Sequence, residues 1–381
     1  MALTCRGTLL FVTGLTPQIV TETVFALMRE TEQRGAPQVP ERIEAITTSE
    51  GRRRLALTLF SACGGQGYFE RLCADYGIDR DAVTFDESCI HVIRDKYGVP
   101  LPDITDESHN AAAADLINER VRALCCEPAA SLHVSLAGGR KTMGYYAGYA
   151  LSLYARPGDR LSHVLVNPPF ESHPGFFYPP PHPNTLVISD GGDYVSTADA
   201  RVVLSDIPFV RLREGLDDTL LEGDLSFSEA VARAQQMLEE AELVIDLSER
   251  RVWLQGHAVS LPNTSFTWLV WFARRAQQGR PRVAFDETAA DELIEVIRWL
   301  EGAGPSRLAD AAASARAELA EMGKANYFDR SRTRLNAALG ARSGLHPAVA
   351  ERYHVHAHGQ RPRTQYGLRL RPEQIHLRGE P

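Results

Sequence analysis

The chain lacks most of what marks a metal, redox or membrane protein. Its six cysteines (Cys5, Cys63, Cys73, Cys89, Cys125 and Cys126) include no C-x-x-C pair, so free buried thiols are expected rather than disulfides or zinc ligands. No metal set and no cofactor motif stands out. No run approaches the roughly 18 apolar residues of a membrane helix. Thr8 to Val12 is too short for a signal-peptide core, so a soluble, cytoplasmic protein without membrane contact is expected. Neither of the two best-known phosphate loops is present. The G-x-G-x-x-G spacing is absent, and Gly138-Gly139-Arg140-Lys141-Thr142 lacks the earlier glycine of a Walker loop, which disfavours ATP hydrolysis.

What is present is a pair of strand-turn-helix units. Leu132, Val134 and Leu136 read as a strand, Ala137-Gly138-Gly139-Arg140-Lys141-Thr142 as a turn and the following apolar run as a helix. Two glycines let backbone approach a ligand, a helix start offers unpaired N–H groups, and Arg140 and Lys141 supply positive charge. The counterpart is Thr8 to Val12 as a buried strand, Thr13-Gly14-Leu15-Thr16-Pro17-Gln18 as a hydroxyl-rich turn, and Ile19 to Met28 as a helix. Such units put both turns at the carboxyl edge of one parallel sheet, where doubly wound folds bind ligands.

The run from Phe11 through Thr13-Gly14-Leu15-Thr16-Pro17-Gln18 to Thr23, the Leu-Ala-Gly-Gly-Arg-Lys-Thr-Met segment, His163 to Val166 and Phe176-Phe177-Tyr178-Pro179 together resemble CRISPR-associated Rossmann-fold (CARF) proteins. Within them the similarity is to the CRISPR-associated ring nuclease branch of type III systems. The resemblance covers roughly residues 5 to 190. It implies an α/β, Rossmann-like CARF domain with a parallel sheet, a homodimer, and cyclic oligoadenylate as ligand. It also implies metal-independent cleavage of that ring. Thr16, Lys141 and Arg140 then take the catalytic positions, and Thr13, Gly14, Leu15, Gln18, Ala137, Gly138, Gly139 and Thr142 the ligand-binding ones. Thr16 stands where many relatives carry serine, keeping the hydroxyl and adding a methyl.

At 381 residues more than one domain is expected. The reading is a ligand-binding domain over 1–200, a connecting hairpin and helix over 201–242, and a helical domain over 243–381. Within the first, a second strand is expected at Ile43 to Thr48, helices at Arg54 to Phe60 and Ser108 to Cys125, and an insertion near Asp86 to Asp106. A strand at His163 to Val166, a proline- and aromatic-rich loop at Asn167 to Pro183 and a hairpin at Thr185 to Pro208 follow. Ser226 to Ala241 reads as a connecting helix.

The last part reads as a hairpin (Leu243 to Leu247, Val252 to Leu261), helices at Ser265 to Ala276, Ala289 to Glu301, Arg307 to Met322 and Tyr327 to Leu339, then strand, basic turn and strand. That order resembles a winged helix-turn-helix. Gly323 to Pro381 holds eleven Lys/Arg against four Asp/Glu on a chain of net charge -8, a basic module on an acidic body. Arg330 and Arg334 on the recognition helix and Arg361 and Arg363 on the wing are the DNA-contact candidates. Two other readings of this tail are open. Arg352 and His358 have the spacing of a HEPN ribonuclease pair, and His354, His356 and His358 alternate as on one face of a strand.

Overall fold

The computed structural model describes residues 4–33, 35, 38–62, 65–127, 130–188, 193–215, 225–284, 286–301, 317, 324–359 and 364–380. The chain forms two compact units, 1–234 and 235–381, and the division falls inside one helix.

In the first unit a six-stranded sheet runs in the order β10-β7-β6-β1-β2-β5. Its members are β1 (Thr4–Val12), β2 (Val39–Thr47), β5 (Ile90–Val92), β6 (Ser131–Ser135), β7 (Arg160–Val166) and β10 (Val202–Asp206). Short ladders β3 (Ser61–Ala62) with β4 (Gly65–Gln66), and β8 (Thr185–Val187) with β9 (Tyr194–Ser196), lie outside it. The first five sheet strands are parallel and β10 closes the edge antiparallel to β7. Counted along the chain the parallel order is 3-2-1-4-5, so the direction of winding reverses between β1 and β6.

The connecting helices are α1 (Gln18–Gln33), α2 (Ser49–Leu55), α3 (Tyr68–Tyr76), α4 (Glu107–Cys126) and α5 (Lys141–Tyr154). Because parallel crossovers are right-handed, the reversal puts α1 and α5 on opposite faces. Strand alternation agrees. Leu9, Phe11, Ile43 and Ala45 join the core under α1 and α3, while Glu44 points the other way and bonds Arg120 of α4. The central strand β1 is continuously apolar and buried over Leu9 to Val12 because both faces are covered there.

Several expected elements differ. The supposed insertion at Asp86 to Asp106 contains β5, a sheet strand too short for its pattern to register. The helix expected at Arg54 to Phe60 begins earlier, at Ser49, and Ala56–Phe60 is a π-helical extension. The Thr185 to Pro208 segment is not one hairpin, since β10 leaves it to complete the main sheet. Cys126 is exposed, whereas Cys73, Cys89 and Cys125 are buried and free; the last turn of α4 rotates the second thiol of the pair to solvent.

In the second unit, after α6 (Phe227–Leu238), β11 (Leu243–Asp246), β12 (Arg251–Leu254) and β13 (His257–Val259) form a meander. The strand expected over Val252 to Leu261 is split by a turn at Gln255 and Gly256, both at positive φ. Helices α7 (Asn263–Gln277), α8 (Glu287–Glu301), α9 (Lys324–Arg342) and α10 (Pro347–Glu351) follow, then β14 (Val355–His358), β15 (Gln365–Leu368) and β16 (Ile375–Arg378). The last strand, unexpected from sequence, pairs in parallel with β11. Trp268, Trp271, Phe272 and Phe328 form the aromatic centre of this unit. The helix expected at Arg307 to Met322 lies outside the described residues apart from residue 317, and so do Arg361 and Arg363 of the basic turn.

Candidate functional site

The two glycine turns meet where the winding reverses. β1 and β6 are adjacent and run in register to Phe11 opposite Ser135, so their following turns leave the sheet side by side. A Cβ on Gly14 would lie 3.1 Å from Gly139 Cα, and one on Gly138 would lie 2.8 Å from Ile19 Cδ1 and 2.9 Å from Thr13 Oγ1. Gly139 sits at φ +83°. Glycine is required here by contact and by conformation.

A third turn joins them. Thr13 N donates to Ile46 O at 3.0 Å and Thr47 Oγ1 to Gly14 O at 3.3 Å. Thr48 caps α2 by accepting from Gly51 N at 3.2 Å. A Cβ on Gly51 would come within 2.6 Å of Gly14 O, so α2 begins hard against the first turn. The hydroxyl run Thr47-Thr48-Ser49 ahead of Glu50 is a helix-start signal that sequence reading passed over.

The individual side chains divide sharply. Thr13 is fully buried and its hydroxyl donates to Thr16 O at 3.5 Å, so it shapes the turn rather than facing a ligand. Leu15 and Thr16 are exposed. Gln18 is half-buried, with a buried Oε1 that has no hydrogen-bond partner among the described residues. Ala137 and Gly138 are half-buried, and Gly139, Arg140, Lys141 and Thr142 are exposed. Arg140 is the N-cap of α5 and makes no side-chain cap bond; the first N–H groups of that helix therefore offer an anion site. Lys141 has no ion-pair or hydrogen-bond partner among the described residues. Arg140 does have one, because Asp103 of the segment after β5 takes its guanidinium in a fork.

That segment forms one wall. Ser49 N donates to Leu101 O at 2.8 Å and Leu101 N to Ile93 O at 2.9 Å, so residues 93–103 run from the start of α2 to the start of α5. Two tyrosines of these segments are exposed, Tyr97 at 79% and Tyr145, one turn beyond Lys141 on α5, at 62%. On α1, Glu22 is buried; desolvation first, then the charge of Glu171, raise its carboxyl to about 8. Asp103, Thr47, Thr48 and Glu22 were not singled out by sequence, since lone acids and threonines carry no periodic signal.

The tail residues are scattered. Arg330 and Arg334 are exposed on α9. Arg352 donates to the carbonyls of Met237 and Glu239 at the end of α6, while His358 is on β14, so the two do not share a helix. His354 precedes that strand. His356 bonds Glu351 O at 2.9 Å, and the Nε2 atoms of His354 and His358 are buried without a hydrogen-bond partner among the described residues. Among the described residues no three His, Cys, Asp or Glu side chains are gathered to hold a metal, and no helix is long and apolar enough to cross a membrane.

The arrangement is suited to an oxyanion carried by a flat, partly apolar molecule. It presents backbone N–H groups, a lysine and an oriented arginine at a sheet edge, with the exposed ring of Tyr145 one turn along α5. A family model described as CRISPR-associated protein NE0113 matches residues 16–240, more than half of the chain. No curated protein matches the sequence.

Proposed function

From a chain that belongs to the NE0113 family of CRISPR-associated proteins, we propose a type III accessory protein that binds cyclic oligoadenylate, preferentially cyclic tetra-adenylate, and cleaves it to end the signal. The observation that carries this reading is the packing of the Thr13–Gln18 turn against the Gly138-Gly139 turn, with Lys141, unpaired among the described residues, at the start of α5. The family match begins at Thr16, inside the first turn, and takes in the whole of the second.

A ribonucleotide ring contains its own nucleophile, so the site need only align a 2′-hydroxyl with its phosphodiester and stabilise the developing charge. In the proposed step the 2′ oxygen bonds to phosphorus as the bond to the 5′ oxygen breaks. The 2′ proton is released and the 5′ oxygen takes one up, leaving a linear product with a 2′,3′-cyclic phosphate. Lys141 and the N–H groups around Gly138 and Gly139 hold the phosphate, and Thr16 orients the hydroxyl. No cofactor takes part. Two copies related by a two-fold axis would present the turns twice to one ring.

Incubation of the pure protein with labelled cyclic tetra- and hexa-adenylate in EDTA, with products resolved, tests this. Lys141→Ala is expected to lose binding and cleavage together, by about 2–5 kcal/mol if the contact is desolvated, and Thr16→Ala to slow cleavage while binding persists. Intact rings after incubation with the wild type would refute the nuclease reading. A second reading, a ring-responsive DNA-binding regulator, is favoured by one observation. The exposed Arg330 and Arg334 lie on a helix whose Asn336 bonds Val355 N and O at the start of the β14-β15 hairpin.

A further inference from the structure

We propose that Asp103 is a positioning residue that aims Arg140 at the bound phosphate, an inference that rests on the anion-binding reading above. Arg140 Nε donates to Asp103 Oδ1 at 3.3 Å and Nη2 to Oδ2. This fork occupies the Nε/Nη2 edge of the guanidinium and leaves Nη1 without a partner among the described residues. A guanidinium has two edges able to fork onto an oxyanion. Clamping one fixes the direction of the other.

The clamp is itself held. Ile104 N donates to Asp103 Oδ1 at 2.8 Å, and Leu101, two residues earlier, is tied to the start of α2 by Ser49 N at 2.8 Å. Asp103 therefore projects from a strap anchored beside one helix start and meets the side chain that begins another. The Arg140 guanidinium, helped by the Ile104 N–H, keeps the Asp103 carboxyl below its ordinary range, so it is ionised whenever the site is in use. Both side chains are about half exposed, and such a pair adds little to folding. Its consequence is orientational: without Asp103, Arg140 is a long side chain free to rotate next to Lys141.

The test titrates the full chain by calorimetry with cyclic tetra-adenylate and, separately, with inorganic tripolyphosphate, and follows thermal unfolding. Asp103→Asn is expected to weaken both ligands by about fivefold, Arg140→Ala by a similar factor, and the double variant no more than Arg140→Ala alone, because the two act as one unit. Asp103→Glu should recover part of the loss. The charge exchange Asp103→Arg with Arg140→Asp restores an ion pair and should leave unfolding unchanged, but not restore binding. Tighter binding by Asp103→Asn, additive losses, or wild-type affinity in the exchanged variant would overturn the assignment. A wild type that binds neither probe removes the site and this inference together. A wild type that binds, loses affinity in Lys141→Ala and keeps it in Asp103→Asn removes only the inference.

Discussion

Two buried carboxylates of the first unit, Glu44 on β2 and Glu22 on α1, are held in opposite charge states. Glu44 is fully buried, and burial alone would raise its carboxyl; bonds from His91, Arg120 and Arg42 outweigh it and bring it to about 2. Its stabilisation is complete above the ordinary carboxylate range and is lost as pH falls toward 2. Glu44→Gln leaves Arg42 and Arg120 facing a neutral amide and should cost about 3 kcal/mol in chemical denaturation at neutral pH; a loss under half that would mean the cluster is solvated. Glu22 behaves in reverse. With its carboxyl raised to about 8, the folded chain retains a proton that the unfolded chain releases. Its contribution is full below the ordinary range and is lost as pH climbs through 8. Glu22→Gln should therefore flatten the decline of melting temperature between about pH 5 and pH 8, and an unchanged slope would show that another group governs it.

At the scale of elements, the site depends on two turns whose backbones touch. Gly14→Ala drives a methyl to 3.1 Å from Gly139 Cα, and neither backbone can yield without spreading β1 and β6 at their ends. The expected result is a folded protein with sharply weaker ring binding. Gly139→Ala meets the φ of +83° and should cost about 1–2 kcal/mol of stability as well. Gly144, inside α5, has open space around it, so Gly144→Ala is a control expected to stabilise by about 0.5–1 kcal/mol without touching affinity. Equal affinities in all three variants would separate ligand binding from this junction.

For the whole molecule, the division into 1–234 and 235–381 has a practical consequence. A fragment of residues 1–242 keeps the entire six-stranded sheet and α6, and is expected to unfold cooperatively and bind the ring. Loss of binding in a folded fragment would assign part of the site to the second unit. The intact chain is expected to sediment as a dimer and to take up one ring per two chains, and calorimetry with one ring per chain would contradict the shared site. If α9 reads DNA, Arg330→Ala with Arg334→Ala should weaken duplex binding and reduce the salt slope by about one unit for each lost phosphate contact. Unaltered binding would leave the helix a packing element.

The sequence by itself determined the strand-turn-helix units and their glycine turns, because alternating or continuous apolar runs ending in Gly-rich turns are local properties of the chain. The long helices α4, α7 and α9 were legible for the same reason, each carrying enough turns for its period to register. What only the tertiary structure decided are relations between distant segments. β5 has three residues and β16 four, too few to show a period, and each exists because a neighbour supplies its hydrogen bonds. Asp103 and Arg140 are separated by 37 positions, and no local pattern couples them; only the winding of the sheet brings the strap after β5 to the start of α5. The burial of Glu22, Glu44 and Thr13 is likewise invisible in a linear text, since the same residue types are ordinarily exposed and it is the layers closing over them that set their charge and their work.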